Sequence, residues 1–163
     1  MEKDAFVSVI KDHQKLIFKI CHSYCANPEN RKDLQQEILI QLWSSLAKFD
    51  GRVKISTWIY KVALNTAIFY YRKDFKHNSK KIPIDASIIS LSNAQPEVEL
   101  DDNIIRLYHF IGRLNEMDKA LILLYLDDNK HREIAEILGL SETNVATKIS
   151  RIKKTLKEQF SNS

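Results

Sequence analysis

Apolar residues recur at intervals of three and four along most of this chain, which is the spacing of one face of an α-helix. The first such stripe consists of Phe6, Ile10, Ile17, Ile20 and Tyr24. Only three glycines and three prolines occur among the 163 residues, too few for the many turns of a sandwich, a barrel or a doubly wound sheet. The pattern therefore predicts an all-α fold.

The overall composition excludes several other classes of protein. Hydrophobic residues make up 44% of the chain and charged residues 28%, which is typical of a folded domain. No apolar run approaches the roughly 18 residues that a membrane span requires. The first residues carry acids and lack the apolar core of a signal peptide. We therefore expect a cytoplasmic protein with no direct membrane insertion.

The two cysteines, Cys21 and Cys25, lie four residues apart, so a helix places both on one face. They are too few for a disulfide framework. A metal site would need two more ligands, and the nearby His13 and His22 fall on different faces. We expect both thiols in the core, and neither a metal nor a cofactor.

Two further helices are predicted before residue 76. The second helix of the chain is expected to begin at an Asn30 cap and to end before Gly51. The third is expected to begin at a Ser56 or Thr57 cap and to reach Phe75.

Helical periodicity then fails over about twenty residues that contain serines, asparagines and two prolines. Such a segment is uncommon inside a compact domain and indicates a boundary. We expect two small helical domains joined by a flexible linker, with the domains over residues 1–75 and 99–163 and the linker over residues 76–98.

The second domain is predicted to contain helices over residues 98–111, 117–126, 132–138 and 142–160. Ala135, Gly139 and Val145 have the spacing of a helix-turn-helix, in which glycine permits a left-handed turn between the helices. Ser141 is placed to cap the second helix, which in this motif lies in the major groove of DNA.

The helix after this turn is predicted to expose small polar and basic side chains, which suit base edges and phosphates. These candidate DNA-binding residues are Thr143, Asn144, Ala146, Thr147, Lys148, Ser150, Arg151 and Lys154. The formal net charge of +4 favours a polyanionic partner only weakly. A plain helical hairpin with a basic exposed face remains the alternative.

The third helix and the loop before it combine cationic with aromatic side chains. That mixture suits single-stranded nucleic acid, because unstacked bases lie against rings while the backbone follows positive charge. The residues are Arg52, Lys54, Trp58, Lys61, Asn65, Tyr71, Arg72 and Lys73. Aromatic residues on a helix more often belong to a core, and this alternative also stays open.

In this order, three stretches resemble a bacterial RNA polymerase sigma factor of the extracytoplasmic-function type. The stretches Asp33–Trp43 and Ser56–Asn65, the latter with Arg72 and Lys73, are similar to domain two of that family. The helix-turn-helix is similar to its domain four. The resemblance implies a DNA-binding specificity subunit with no enzymatic activity and no small-molecule substrate.

The resemblance also implies a role for each set of residues. Contacts to core RNA polymerase would come from Asp33, Leu34, Gln36, Glu37 and Gln41. Binding and melting of a −10-type element, including a pocket for a flipped base, would involve Asp50, Gly51, Arg52, Lys54, Trp58, Lys61, Asn65, Arg72 and Lys73. The exposed face of the helix-turn-helix would contact a −35-type element, with Lys148 and Lys154 on phosphates.

An anti-sigma factor is a further partner that the resemblance implies. Ala146 stands where many relatives carry a long basic residue, which implies a different base preference.

Two other functions compete with this interpretation. A stand-alone helix-turn-helix regulator would dimerise on a palindromic duplex. A helical enzyme would need a metal-ligand motif, a phosphate loop or a nucleophile with its base, and the sequence contains none of these.

Overall fold

The computed structural model of the chain contains only helices as regular elements within the residues that it describes, which are 3–25, 27–72 and 102–162. Their contacts fall into two compact units, Met1–Val98 and Glu99–Ser163. The all-α prediction is confirmed for the described residues. The linker predicted over residues 76–98 lies outside them, so the domain limits that it sets stay predictions.

The described part of the first unit is a bundle of helices around one apolar core. The elements are α1 (Lys3–Asp12), α2 (Gln14–Tyr24), α3 (Pro28–Ser45), a 3₁₀ turn (Leu46–Lys48) and α4 (Ile55–Arg72). Helix α3 packs against both α2 and α4, and α2 also packs against α4. Because their apolar faces meet, side chains such as Phe6, Leu42 and Leu64 are fully enclosed.

The apolar stripe from Phe6 to Tyr24 is buried as predicted, but it belongs to two helices rather than one. The chain leaves helical geometry at His13, where φ is −116° and ψ is 16°. Nδ1 of His13 lies 2.7 Å from the carbonyl oxygen of Val9. This contact satisfies a carbonyl at the end of α1, where the helix has no further backbone donor.

Both cysteines lie in the core of this unit, as predicted, and neither forms a disulfide. Burial raises the pKa of the Cys21 thiol, and the neighbouring Cys25 raises it further. Since the thiolate is the reactive form, Cys21 stays an inert thiol.

The cap predicted for α3 is wrong. The helix begins at Pro28, and Oδ1 of Asn27 accepts hydrogen bonds from the N–H groups of Glu29 at 2.8 Å and Asn30 at 3.4 Å. Asn30 therefore lies in the first turn. A proline directly after the cap is favourable because its missing N–H would have no helical partner.

The cap predicted for α4 is also wrong. The helix begins at Ile55, and the N–H of Trp58 donates to the carbonyl oxygen of Lys54 at 3.1 Å. Ser56 and Thr57 consequently lie inside the first turn. The predicted end of this helix at residue 75 lies outside the described residues.

The second unit contains the helices α5 (Asp102–Ile111), α6 (Glu116–Leu126), α7 (His131–Leu138) and α8 (Glu142–Ser161). Helix α8 packs against α5, α6 and α7, and α6 also packs against α7. The predicted last three helices are confirmed to within one residue at each end. None of the helices in the described parts of either unit is long and apolar enough to cross a membrane.

Candidate nucleic-acid interface

The turn between α7 and α8 has the geometry of a helix-turn-helix. Gly139 ends α7 with a φ of +70°, a conformation that costs glycine no steric energy. The N–H of Leu140 then donates to the carbonyl oxygen of Ala135 at 3.0 Å. Oγ of Ser141 accepts from the N–H of Asn144 at 3.1 Å and caps α8. The turn and the cap are as the sequence predicts.

Helix α8 has one buried face and one accessible face. The buried face consists of Val145, Ile149, Ile152 and Leu156. Of the eight predicted DNA-binding residues, Ala146 and Lys148 are half-buried. The other six are exposed, namely Thr143, Asn144, Thr147, Ser150, Arg151 and Lys154. The structure thus brings all eight onto one helix and leaves each at least partly accessible.

One side chain on this face is oriented by the backbone of its own helix. Oγ1 of Thr147 donates to the carbonyl oxygen of Thr143 at 3.0 Å. The hydroxyl proton is therefore engaged, and Thr147 offers an acceptor oxygen and a methyl group to its surroundings. Such groups suit a base amino group and a thymine methyl in the major groove.

The loop before α4 is shaped by one glycine and one ion pair. Gly51 has a φ of +79°. Oδ1 of Asp50 accepts from the N–H of Arg52 at 3.1 Å, and Oδ2 lies 3.1 Å from its Nε. An exposed pair of this kind contributes little stability, but it fixes the turn and leaves other guanidinium donors of Arg52 accessible.

Two aromatic rings close the base of this loop. Phe49 precedes it and Trp58 follows it, with ring centroids 5.0 Å apart and an angle of 33° between the planes. Trp58 is half-buried. Part of this ring is therefore buried, as expected if the aromatic residues belong to a core, and the rest of it stays accessible.

The exposed face of α4 includes a residue that the sequence analysis missed. Lys61 and Asn65 are exposed as predicted, and Phe69, one turn after Asn65, is 51% exposed. The signal was available, since residues four apart share a helix face. Arg72 is the last residue of α4, and its side chain, like the whole of Lys73, lies outside what the structure describes.

The residues predicted to contact polymerase do not share one exposed surface. Asp33 is exposed, and Gln36 and Gln41 are half-buried. Leu34 is 0% exposed and packs in the core, so placing its side chain on a binding surface is wrong. Glu37 is 8% exposed, and its Oε1 accepts from Nε2 of Gln41 at 3.0 Å.

The acids of α3 also act on the neighbouring helix. Burial raises the pKa of Tyr70 on α4, and the carboxylates of Asp33 and Glu37 add to this effect. Tyr70 is consequently a neutral phenol next to the acidic part of α3.

The fold and this interface define an all-α helix-turn-helix protein of two units. Residues 9–75 match the Sigma-70 region 2 family, and residues 104–156 match the Sigma-70, region 4 family. The chain is 30% identical over 161 residues to the RNA polymerase sigma factor SigV of Bacillus subtilis, covering 97% of this chain and 92% of SigV. It is 28% identical to the RNA polymerase sigma factor YlaC of the same organism, covering 99% of this chain and 95% of YlaC.

A solved structure has the same fold. The sigma factor RpoE in its complex with the anti-sigma factor NepR from Bartonella quintana matches with a TM-score of 0.72 and 16% identity, over 96% of this chain and 97% of that chain. The chain belongs to the sigma-70 family of RNA polymerase sigma factors, in the extracytoplasmic-function group.

Proposed function

We propose that this sigma factor binds core RNA polymerase, recognises −35-type and −10-type promoter elements with its two units, and promotes DNA melting. The observation that carries the proposal is that one chain combines a helix-turn-helix, whose second helix has a polar accessible face, with a cationic and aromatic surface on α4. A duplex-reading element and a surface suited to single strands are both needed to begin transcription inside a duplex.

In the second unit, α8 enters the major groove at the −35-type element. Its first turns supply the side chains that face base edges, with Thr143, Asn144, Thr147, Ser150 and Arg151 exposed along them. Arg151 is suited to a guanine, because a guanidinium can donate twice to its edge. Lys148 and Lys154 contact phosphates, and the short Ala146 leaves room for a base or its methyl group.

In the first unit, the loop over Asp50, Gly51, Arg52 and Lys54 receives a base flipped from the −10-type element. Trp58, whose ring centroid lies 5.0 Å from that of Phe49, lies at the edge of this pocket. Lys61, Asn65 and Arg72 follow the strand along α4, and Lys73 adds a further cationic contact. Unpairing a base costs a few kcal/mol. Stacking on a ring stabilises each base by about 1–3 kcal/mol, which offsets this cost, and the lysines add phosphate contacts.

Core polymerase binds α3 through Asp33, Gln36 and Gln41, which are the accessible members of the predicted set. Leu34 and Glu37 support this surface from within. Docking fixes the distance between the two units, so two individually weak DNA contacts act together. The role is one of binding and positioning, which requires no catalytic residue and no small-molecule substrate.

An anti-sigma factor is the second protein partner that we infer. The similar RpoE structure contains NepR, which is an anti-sigma factor. A protein that works on core polymerase and promoter DNA functions in the cytoplasm. This inference rests on the partners and on the family.

The proposal is tested by mixing the purified protein with core RNA polymerase that lacks any sigma factor. We expect co-elution in size exclusion and transcripts from genomic DNA fragments that begin at defined promoters. Sequencing the start sites then gives both promoter elements. Asp33→Ala, which removes an exposed acid of α3, should weaken the co-elution, whereas the matched control Asp12→Ala, which removes an exposed acid of α1, should leave it unchanged.

The opposite result is equally clear. The protein would be a stand-alone regulator if it bound no core polymerase but formed a stable dimer on a palindromic duplex. For this result the protein must be folded and free of any co-purified inhibitor. That outcome rejects the proposal.

A further inference from the structure

A groove of about 540 Å³ lies alongside α8, and its lining combines residues that the sequence assigns to DNA with others that it does not. One wall is formed by lysines of α8, and Tyr125 of α6 and His131 of α7 also line it. Ile149 contributes apolar surface. All of these residues belong to the second unit.

The groove is continuous with the accessible face of α8. Ala146, Ser150, Lys153 and Lys157 line it in helical order, and their spacing of three and four places them in one row along the helix. The first two residues of this row belong to the predicted base-reading set. A DNA strand that lies against Ala146 and Ser150 therefore continues toward Lys153 and Lys157.

The charge of the groove is predominantly positive. Lys153, Lys154 and Lys157 line it together with one acid, Glu158, and all four are exposed. Neither Lys154 nor Lys157 forms an ion pair with any residue that the structure describes. A row of unneutralised lysines next to a DNA-reading face is suited to phosphates.

Lys153 differs from the other two lysines because it is held in place. Its Nζ donates to the hydroxyl oxygen of Tyr125 at 3.1 Å and lies 5.0 Å from the centre of the ring. The ammonium thus lies beside the hydroxyl group, and two of its three hydrogens remain available for an anion. A lysine ordered before binding loses less side-chain entropy when it meets a phosphate.

We propose that Tyr125 is a positioning residue that holds Lys153 as a phosphate-binding group, and that Lys153 and Lys157 grip the DNA backbone next to the bases that α8 reads. The proposal rests on the assignment of α8 to promoter DNA. It adds an anchor on the α6 side of α8 that the sequence analysis did not identify.

The test measures binding of the full chain to a short mixed-sequence DNA duplex by fluorescence anisotropy over a series of salt concentrations. For Lys153→Ala we expect the slope of log K against log salt to fall by about one. At physiological salt the affinity should fall about fivefold. Lys153→Arg retains the charge and should restore the slope. Arg113→Ala is the matched control, since it removes an exposed cation away from the groove.

The role of Tyr125 is tested by Tyr125→Phe, which removes only the hydroxyl group. We expect about threefold weaker binding, the effect of losing one hydrogen bond, with the salt slope unchanged because no charge is lost. In a Lys153→Ala background the same change should have no effect. Equal losses in both backgrounds would show that Tyr125 does not act through Lys153.

Failure of the proposed anchor can be distinguished from failure of the proposed function. If Lys153→Ala and Arg113→Ala weaken duplex binding equally, the anchor is rejected while the promoter assignment stands. If the unmodified chain binds neither duplex DNA nor core polymerase, the proposed function itself is rejected. Thermal unfolding by circular dichroism verifies that each variant is folded, and Lys153→Arg keeps the test decisive should the alanine variant be destabilised.

Discussion

The two units present their candidate interfaces on helices that are packed differently. In the second unit, α8 buries Val145 and Ile149 on one side and leaves Thr147 and Arg151 exposed on the other. In the first unit, α3 packs against both α2 and α4, and Leu34 is in the core although Asp33 beside it is exposed. Helix α8 meets its three neighbours along one apolar stripe, so periodicity alone separates its core side from its accessible side. The buried residues of α3 include the acid Glu37, which periodicity alone does not assign to a core.

The sharpest test of this difference is a pair of neighbouring substitutions in α3. Leu34→Ala should lower the free energy of unfolding by about 2–5 kcal/mol, because it opens a cavity in a closed core. Asp33→Ala should change it by no more than about 0.5 kcal/mol and should weaken binding to core polymerase. Urea denaturation and a polymerase titration measure the two effects. A stable Leu34→Ala variant that fails to bind polymerase would reverse the assignment.

The second test concerns the ring at the start of α4. Trp58→Ala should reduce promoter opening by about tenfold or more, since stacking contributes about 1–3 kcal/mol per base, and it should reduce polymerase binding much less. Trp58→Phe, which keeps an aromatic ring next to Phe49, is the control and should retain part of the activity. Opening is followed by permanganate reactivity of unpaired thymines. Equal losses in opening and in polymerase binding would contradict a role in melting.

Both units contain one glycine with positive φ, and this allows a matched comparison of backbone strain. Gly139 has a φ of +70° and Gly51 a φ of +79°, and a Cβ at either position would meet no atom within 4 Å. Alanine at either site should therefore cost about 1–2 kcal/mol through backbone strain alone. We expect Gly139→Ala to lower the melting temperature. Gly51→Ala should in addition impair promoter opening, because the loop before α4 changes shape. If alanine at either site greatly reduced promoter opening without lowering the melting temperature, the glycine would contact a ligand, and backbone strain would not be the cause.

The smallest expected effect is a pH dependence located in the first unit. Burial and the Arg31 guanidinium, whose Nη1 lies 2.9 Å from Nδ1 of His22, lower the pKa of His22 from 6.5 to about 4. The unfolded chain therefore binds the proton more readily than the folded one. The contribution of neutral His22 to the stability of the fold is complete above pH 6.5 and is lost as the pH falls toward 4.

A variant without a titrating group at this position isolates the effect. Between pH 7 and pH 5, the melting temperature of the His22→Gln variant should fall less than that of the unmodified protein. Thermal denaturation at each pH measures the difference. The same pH-dependent loss in both proteins would assign the dependence to another group.

The sequence predicted the last three helices of the second unit to within one residue at each end, because their signals are local. The predicted start of α5 at residue 98 lies outside the described residues. The left-handed Gly139, the Ser141 cap and the apolar spacing of α8 each lie within a few positions of the element that they define. In the first unit the same reasoning chose Asn30 as the cap, whereas the cap in the structure is Asn27. Both asparagines precede the apolar face of α3, and the neighbouring Pro28 marks the start more strongly than the spacing to a later acid does.

The remaining differences arise from tertiary packing, which a single sequence does not display. The burial of Glu37 depends on which sides of α3 the other helices cover. Leu34 is different, because it shares the four-residue apolar spacing of Ile38 and Leu42, and this spacing already predicts a buried side chain. The hydrogen bond between Lys153 and Tyr125 joins residues 28 positions apart, so no helical spacing could have indicated it. The exposure of Phe69 was within reach of the periodicity, but aromatic residues are usually assigned to a core.

The two tryptophans of the chain, Trp43 and Trp58, both belong to the first unit. Each ring is packed against a phenylalanine, Trp43 against Phe6 and Trp58 against Phe49, with centroids 5.0 Å apart in both pairs. Intrinsic tryptophan fluorescence therefore reports on one half of the molecule, whereas circular dichroism records helices in both. Comparing the two signals during denaturation reveals whether the halves unfold together or separately, without any label added to the protein.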